Sequence, residues 1–310
     1  MPTDLQKPGT NGAGLASEVP YSGTERRSGL HDRVRPEREF VRFTRLQRAL
    51  HACMIVAFIS LATTGLTLKF SYTPWAATVS RFLGGFQTAG FIHRSAAVLM
   101  FGVFCTHLYD LVRHMKRERK SLLSLIFGAD SMMFNRADLH QFIATMKWFV
   151  GRGPRPQYGR WTYWEKFDYF AVFWGIAVIG STGLTLWFPV VFTRLLPGSF
   201  INIATIIHSD EALLATGFIF TVHFFNTHLR PEKFPMDTVV FTGHMPVAEL
   251  KRDKPLEYEA LVASGELEDH LEEPQPEVVV RTIRGFAWVA LSIGFCIVIW
   301  IIYAMIFAYK

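Results

Sequence analysis

This 310-residue sequence predicts an all-α integral membrane protein: a four-helix bundle plus a fifth transmembrane helix. Three observations carry that expectation: the apolar stretches, the placement of basic charge, and an internal duplication. Half of the chain is hydrophobic and 15% is aromatic. Five separate apolar stretches are long enough to cross a hydrocarbon core of ~30 Å. They lie near Leu50–Phe70, Phe91–Val112, Phe167–Phe188, Ile203–Leu229 and Gly285–Ala308. Lys and Arg crowd the N-terminal tail, the Arg113–Arg160 loop and the Arg230–Arg284 segment, whereas the two intervening loops contain only Arg81 and Arg194. The positive-inside rule then places the N terminus in the cytoplasm, and an odd number of spans places Lys310 outside. The net charge of +6 is accounted for by this asymmetry. Because the basic residues hug membrane boundaries, nucleic acid is excluded as a partner and membrane lipid is expected.

The duplication organises the first four spans. Thr-Gly-Leu-Thr-Leu occurs at Thr64–Leu68 in the first and at Thr182–Leu186 in the third. The second and fourth share a histidine followed nine residues later by glycine: His93 with Gly102, and His208 with Gly217. Each also carries a further histidine, His107 after a spacing of 14 and His223 after a spacing of 15. Along a helix axis these spacings correspond to ~21–23 Å. Fourteen residues close to within roughly 40° of whole turns, so His93 and His107 share a face. Fifteen overshoot by roughly 60°, which a locally widened turn absorbs. A lone imidazole in lipid is costly without a partner. Four of them at two matched depths point to two bis-histidine b haems stacked across the membrane, in a four-helix haem-binding bundle.

Taken in order, residues 1–40 are polar and rich in Gly, Pro and Arg, with no apolar run, and are expected to be a disordered cytoplasmic tail. Residues 41–229 form the four-span di-haem domain, with a cytoplasmic loop over 113–162. Within that loop Ser121–Val150 reads as an interfacial amphipathic stretch. Residues 230–284 are a polar cytoplasmic extension containing the acidic run Gly265–Glu273. Residues 285–310 supply the fifth span, whose interior has no histidine or charge and which is therefore structural or an assembly contact. Cys53, Cys105 and Cys296 show no paired spacing and read as small apolar fillers. With no Cys-x-x-Cys-His anywhere, the haem is held non-covalently. His31, His114, His140, His244 and His270 fall outside the spans.

The run Arg45-Leu46-Gln47-Arg48-Ala49-Leu50-His51, with Gly65 fourteen residues on, is similar to the first-span signature of one family. So is the third-span entry Trp164-Glu165-Lys166, leading to Thr182-Gly183 and Trp187-Phe188-Pro189. Over roughly Phe40–Leu229 the chain resembles the cytochrome b (gamma) subunits of membrane-bound formate dehydrogenases and uptake hydrogenases. The resemblance implies iron ligands at His51, His93, His208 and His223. Two departures accompany it: a fourth-span spacing of 15 where the family has 14, and the extra His107. The 14-and-15 pattern instead resembles cytochrome b of bc-type complexes. Both schemes give His93 and His208 to the outer haem, and the inner haem pairs His223 with either His107 or His51. A third haem on His51 and His228 stays open, as does contact of His228 with a propionate.

Arg94, at the extracytoplasmic rim, is a candidate counter-ion for a haem propionate. Asp210 and Glu211 follow His208 and suit a partner contact or proton movement. The resemblance also implies a quinone pocket lined by Thr162, Glu165 and Lys166; a carboxylate there would serve the two protons of quinone reduction. Asp168 shares a helical face with Glu165. Trp161, Tyr163 and Trp164 suit an interfacial aromatic belt. No nucleotide-binding glycine motif and no molybdenum or nickel ligand set is present, so no primary dehydrogenase site is expected in this chain. The expected function is that of a bacterial inner-membrane cytochrome b subunit. It would move electrons between an extracytoplasmic iron–sulfur or cytochrome c subunit and menaquinone or ubiquinone. The alternatives are a quinone-independent electron conduit and a haem-free assembly or transport protein.

Overall fold

The computed structural model describes residues 38–308, apart from Lys120, Ala129, Asp130, Glu232 and Pro235. Almost all of the expected N-terminal tail, with His31, lies outside the described residues, as does Lys310. Five helices are long and apolar enough to cross a membrane: Arg45–Lys69, Phe86–Arg117, Tyr163–Trp187, Ser199–Leu229 and Glu277–Phe307. They extend past most of the expected apolar limits because polar ends continue each helix. Thr44 caps the first, its hydroxyl accepting from Gln47 N while the Gln47 side chain accepts from Thr44 N. The second runs on through His114, Lys116 and Arg117, cations that suit the negative end of a helix dipole.

The first helix packs along the second, the third along the fourth, and the first also meets the fourth. Four described stretches of the spans widen to π-helical turns: Ile176–Gly180 in the third, Ile219–His223 and Phe225–Leu229 in the fourth, and Ala304–Ala308 at the end of the fifth. The turn at Ile219–His223 falls between His208 and His223. A π turn takes up one extra residue, and so accounts for a spacing of 15 where a regular helix needs 14.

The fifth helix closes the bundle against the first and fourth. Ala287, Leu291, Ile297 and Ile301 join Ala62, Leu66, Phe70, Phe220 and Phe224 in one core. Gly294 is where the fourth span presses closest: a Cβ there would stand 2.4 Å from the Phe220 ring. Trp300 stacks on Trp75, with ring centroids 5.6 Å apart. Trp75 belongs to the short helix Pro74–Phe82, which Thr73 caps.

In the loop between the second and third spans, helices Leu122–Phe127 and Arg136–Phe149 leave Leu123, Phe127, Leu139, Phe142, Ile143 and Phe149 exposed. Such apolar exposure suits helices lying in a membrane interface. The extension folds into short helices, among them Val247–Asp253 and Pro255–Ser264, and a small sheet. Strand β1 (Glu39–Val41) is the middle strand, antiparallel to β2 (His244–Pro246) and to β3 (Leu271–Glu272). Phe40 pairs in register with Met245 and with Leu271. It is buried with Val239, Met245 and Leu250 in a second core. A tail boundary at residue 40 thus falls inside a strand, and Glu39–Val41 pack with the extension.

Candidate functional site

The duplicated Thr-Gly pairs hold the duplicated histidines. On the second span, His93 Nδ1 lies 2.9 Å from Thr64 Oγ1 of the first. That hydroxyl already donates its only proton to the Ser60 carbonyl at 2.6 Å, so toward His93 it can only accept. On the fourth span, His208 Nδ1 lies 2.9 Å from the Ile179 carbonyl and 3.4 Å from Thr182 Oγ1, both on the third. A carbonyl can only accept. In each imidazole the proton therefore sits on Nδ1 and the lone pair on Nε2, which is the tautomer that ligates iron through Nε2. The adjacent glycines make room for the rings. A Cβ on Gly65 would meet His93 Cε1 at 3.3 Å, and one on Gly183 would meet His208 Cε1 at 3.0 Å. The two imidazoles face each other across the repeat boundary, ring centroids 6.2 Å apart. The repeated glycines Gly102 and Gly217 play no such part; a Cβ on either would meet nothing within 4 Å.

At the other end of the bundle, His51 lies within electrostatic reach of His223 and His228. His223 Nδ1 donates to Asp168 Oδ2 at 3.0 Å, leaving this Nε2 with a lone pair as well. His51 Nδ1 and His228 Nδ1 are buried and have no hydrogen-bond partner among the described residues. The Phe241 ring sits edge-on to His51 at 5.7 Å and stacked on His228 at 6.5 Å. That ring is thus in contact with both imidazoles.

His107 is placed elsewhere. Its Nε2 is 2.9 Å from the Tyr169 hydroxyl of the third span, with the Phe173 ring beside it. The nitrogen that would bind iron is engaged, and no contact joins His107 to His223 among the described residues. The inner group the structure assembles is His51, His223 and His228. Sequence reasoning missed Asp168 as the partner of His223, Tyr169 as that of His107, and Thr64 and Thr182 as holders; the duplicated Thr-Gly was the one visible signal.

The third-span entry is bound into an ion network. Thr162 and Glu165 cap the helix, the carboxylate accepting from Thr162 N at 2.7 Å and Thr162 Oγ1 at 2.8 Å. The same carboxylate meets Lys254 at 2.5 Å and Arg42 at 3.7 Å. Arg42 also pairs with the buried Glu257 at 2.9 Å, which Arg160 meets at 3.0 Å. Lys166 is buried against Asp138 at 3.0 Å. Burial pushes the Lys254 ammonium down to about 8, against the opposing pull of Glu165. Glu165 and Lys166 thus already have partners where the sequence suggests a proton-exchanging pair. At the opposite end, Asp210 joins Lys69 at 2.9 Å, Glu211 accepts from Trp174 Nε1 at 3.3 Å, and Arg94 lies back over Gly90.

Among the described residues, no group of three or more His, Cys, Asp or Glu side chains could hold a bare metal ion. Imidazoles that come in pairs, with Nε2 lone pairs free, instead suit a metal whose remaining ligands a macrocycle supplies. Membrane-crossing helices around such pairs are consistent with an all-α integral membrane cytochrome b. Residues 26–129, which include the first two spans with His51 and His93, match the model of the family described as prokaryotic cytochrome b561. This is the cytochrome b family of hydrogenase and formate dehydrogenase-type subunits, the type that the sequence resembles. Comparison with curated proteins gives no match. A multi-pass bacterial membrane protein binding haem b, and hence suited to electron transfer, is what fold and match together support.

Proposed function

We propose that this chain carries two b haems and moves electrons between an extracytoplasmic redox partner and the membrane quinone pool near the cytoplasmic face. The outer haem is ligated by His93 and His208, and the inner by His51 and His223. One observation carries the reading: His93, His208 and His223 each have Nδ1 committed to an acceptor, which leaves the iron-binding nitrogen with its lone pair. Bound between such pairs, haem b supplies one-electron redox chemistry, while the protein supplies position, burial and the proton on each Nδ1. The charge pattern orients the bundle with the N terminus cytoplasmic and the C terminus extracytoplasmic. Quinone binds at the third-span entry, near Thr162, Glu165 and Lys166. A second reading, a conduit between soluble donors and acceptors without quinone, is favoured by the ion pairs that already occupy Glu165 and Lys166.

Haem extracted from the purified protein should number two per chain. His93→Ala or His208→Ala should each retain one, His51→Ala should lose the other, and His107→Ala should keep both. Loss in His107→Ala with retention in His51→Ala would move the inner ligand to the second span, and a parent without haem would end the reading. A quinone analogue that perturbs the inner haem spectrum selects quinone chemistry, and an unresponsive spectrum selects the conduit.

A further inference from the structure

The three imidazoles that the structure holds by Nδ1 at these sites are held by two kinds of group. His93 meets the Thr64 hydroxyl and a backbone hydrogen bond to Leu61. His208 meets the Ile179 carbonyl and the Thr182 hydroxyl. These holders are neutral, and the duplication explains their likeness, since Leu61 and Ile179 each stand three residues before the repeated threonine. Of these three, His223 alone meets a carboxylate, Asp168 Oδ2, at 3.0 Å. The pair is largely withdrawn from solvent, with side chains 21% and 13% exposed. Among the described residues, the buried Asp168 Oδ1 has no hydrogen-bond partner, and no Lys or Arg forms an ion pair with this carboxylate. Its charge is therefore directed at His223.

We propose that Asp168 is the positioning residue of the inner haem, fixing the His223 ring by its Nδ1–H and lowering that haem's reduction potential through its charge. The inference rests on the two-haem reading above. A carboxylate accepting from Nδ1–H draws the proton toward itself and leaves the imidazole a stronger donor through Nε2. A stronger donor, with a negative charge close by in a low-dielectric setting, favours ferric over ferrous iron. The outer haem, with hydroxyl and carbonyl holders, receives neither effect. The two haems of one duplicated bundle are thus made unlike by one side chain. Asp168 stands one turn from the Thr162–Glu165 cap, which keeps the third helix entry, and with it the carboxylate, in place.

The experiment is a redox titration of the purified, full-length protein, following both haems by optical spectra and by their low-spin ferric EPR signals. In Asp168→Asn the inner haem should titrate at a higher potential and its EPR signal should shift, with the outer haem unchanged in both. Asp168→Glu should return the inner potential most of the way to that of the parent. If Asp168→Asn cannot hold the inner haem, Asp168→Glu must restore haem and potential together; haem retained in the Glu variant at a raised potential overturns the proposal. Unchanged potentials with both haems present in Asp168→Asn overturn it, and so does an equal shift of both haems. Those outcomes leave the two-haem reading intact, whereas a parent protein without haem ends that reading first.

Discussion

At the scale of single residues, the histidines were legible because a lone imidazole in an apolar run has few inexpensive reasons to be there. Their partners were not legible. Asp168 stood out only as a charge near a helix entry, and Tyr169 not at all, because which side chains meet across two helices depends on their mutual register and rotation. Periodicity within one helix does not fix either. The same gap left His51 and His107 as equal candidates; the structure sets His107 Nε2 beside the Tyr169 hydroxyl and His51 near His223 and His228. Gly65 and Gly183 allow a test at this scale. A methyl at Gly183 would press on His208 at 3.0 Å, and one at Gly65 on His93 at 3.3 Å. Overpacking of this kind costs about 1–3 kcal/mol. Gly183→Ala should release the outer haem at least several-fold more readily than the parent, with Gly65→Ala milder, as measured by haem transfer to an apo-globin acceptor. Equal retention in both would show that the imidazoles have slack.

At the scale of elements, the spans and their order followed from hydropathy, and the widened turn in the fourth followed from a spacing one residue too long. The widening at Ile176–Gly180 carried no such mark, since no pair of chemically demanding residues brackets it. Deletion offers a test of the first case. Removing Val222 takes out the surplus residue of the Ile219–His223 turn, so a regular helix would return the histidine to the same face as His208. Both haems should be retained. Inserting one alanine after Gly217 instead turns the second histidine by about 100° and should cost the inner haem alone. Haem counting separates the two outcomes; loss of the inner haem on deletion would mean that the widened turn is needed in its own right.

At the scale of the whole molecule, the strand pairing of residues 39–41 with the extension could not be read from sequence. Strands of two or three residues show no alternation, and their partners lie some 200 residues away in the chain. The buried charges behind them were visible only as scattered polar residues. Arg42, 2% exposed, reaches Glu257, 6% exposed, and the Glu165 carboxylate. It thereby ties the start of the chain to the extension and to the third span. Breaking a buried ion pair from one side costs about 3–5 kcal/mol, because a charge is stranded. With Arg160 still on Glu257, the lower end applies. Arg42→Ala should therefore lower the unfolding temperature and open the extension to proteolysis between residues 230 and 276. The haem spectra at low temperature should not change. An extension that stays resistant would assign its anchoring to the small sheet and its core.

The placing of each histidine against the Thr-Gly of its own helix pair has an entropic consequence. Fixing a side chain at the moment of association costs about 0.5–1.5 kcal/mol for each one immobilised. Here the first and second helices settle His93, and the third and fourth settle His208, within hairpins that form from local contacts. When the two hairpins meet, both rings are already oriented, and an incoming macrocycle finds them preorganised, with little freedom left to surrender. With the proposed outer haem bridging them, the repeat boundary would be a docking seam, and haem capture and the joining of the two halves would be steps of one assembly reaction.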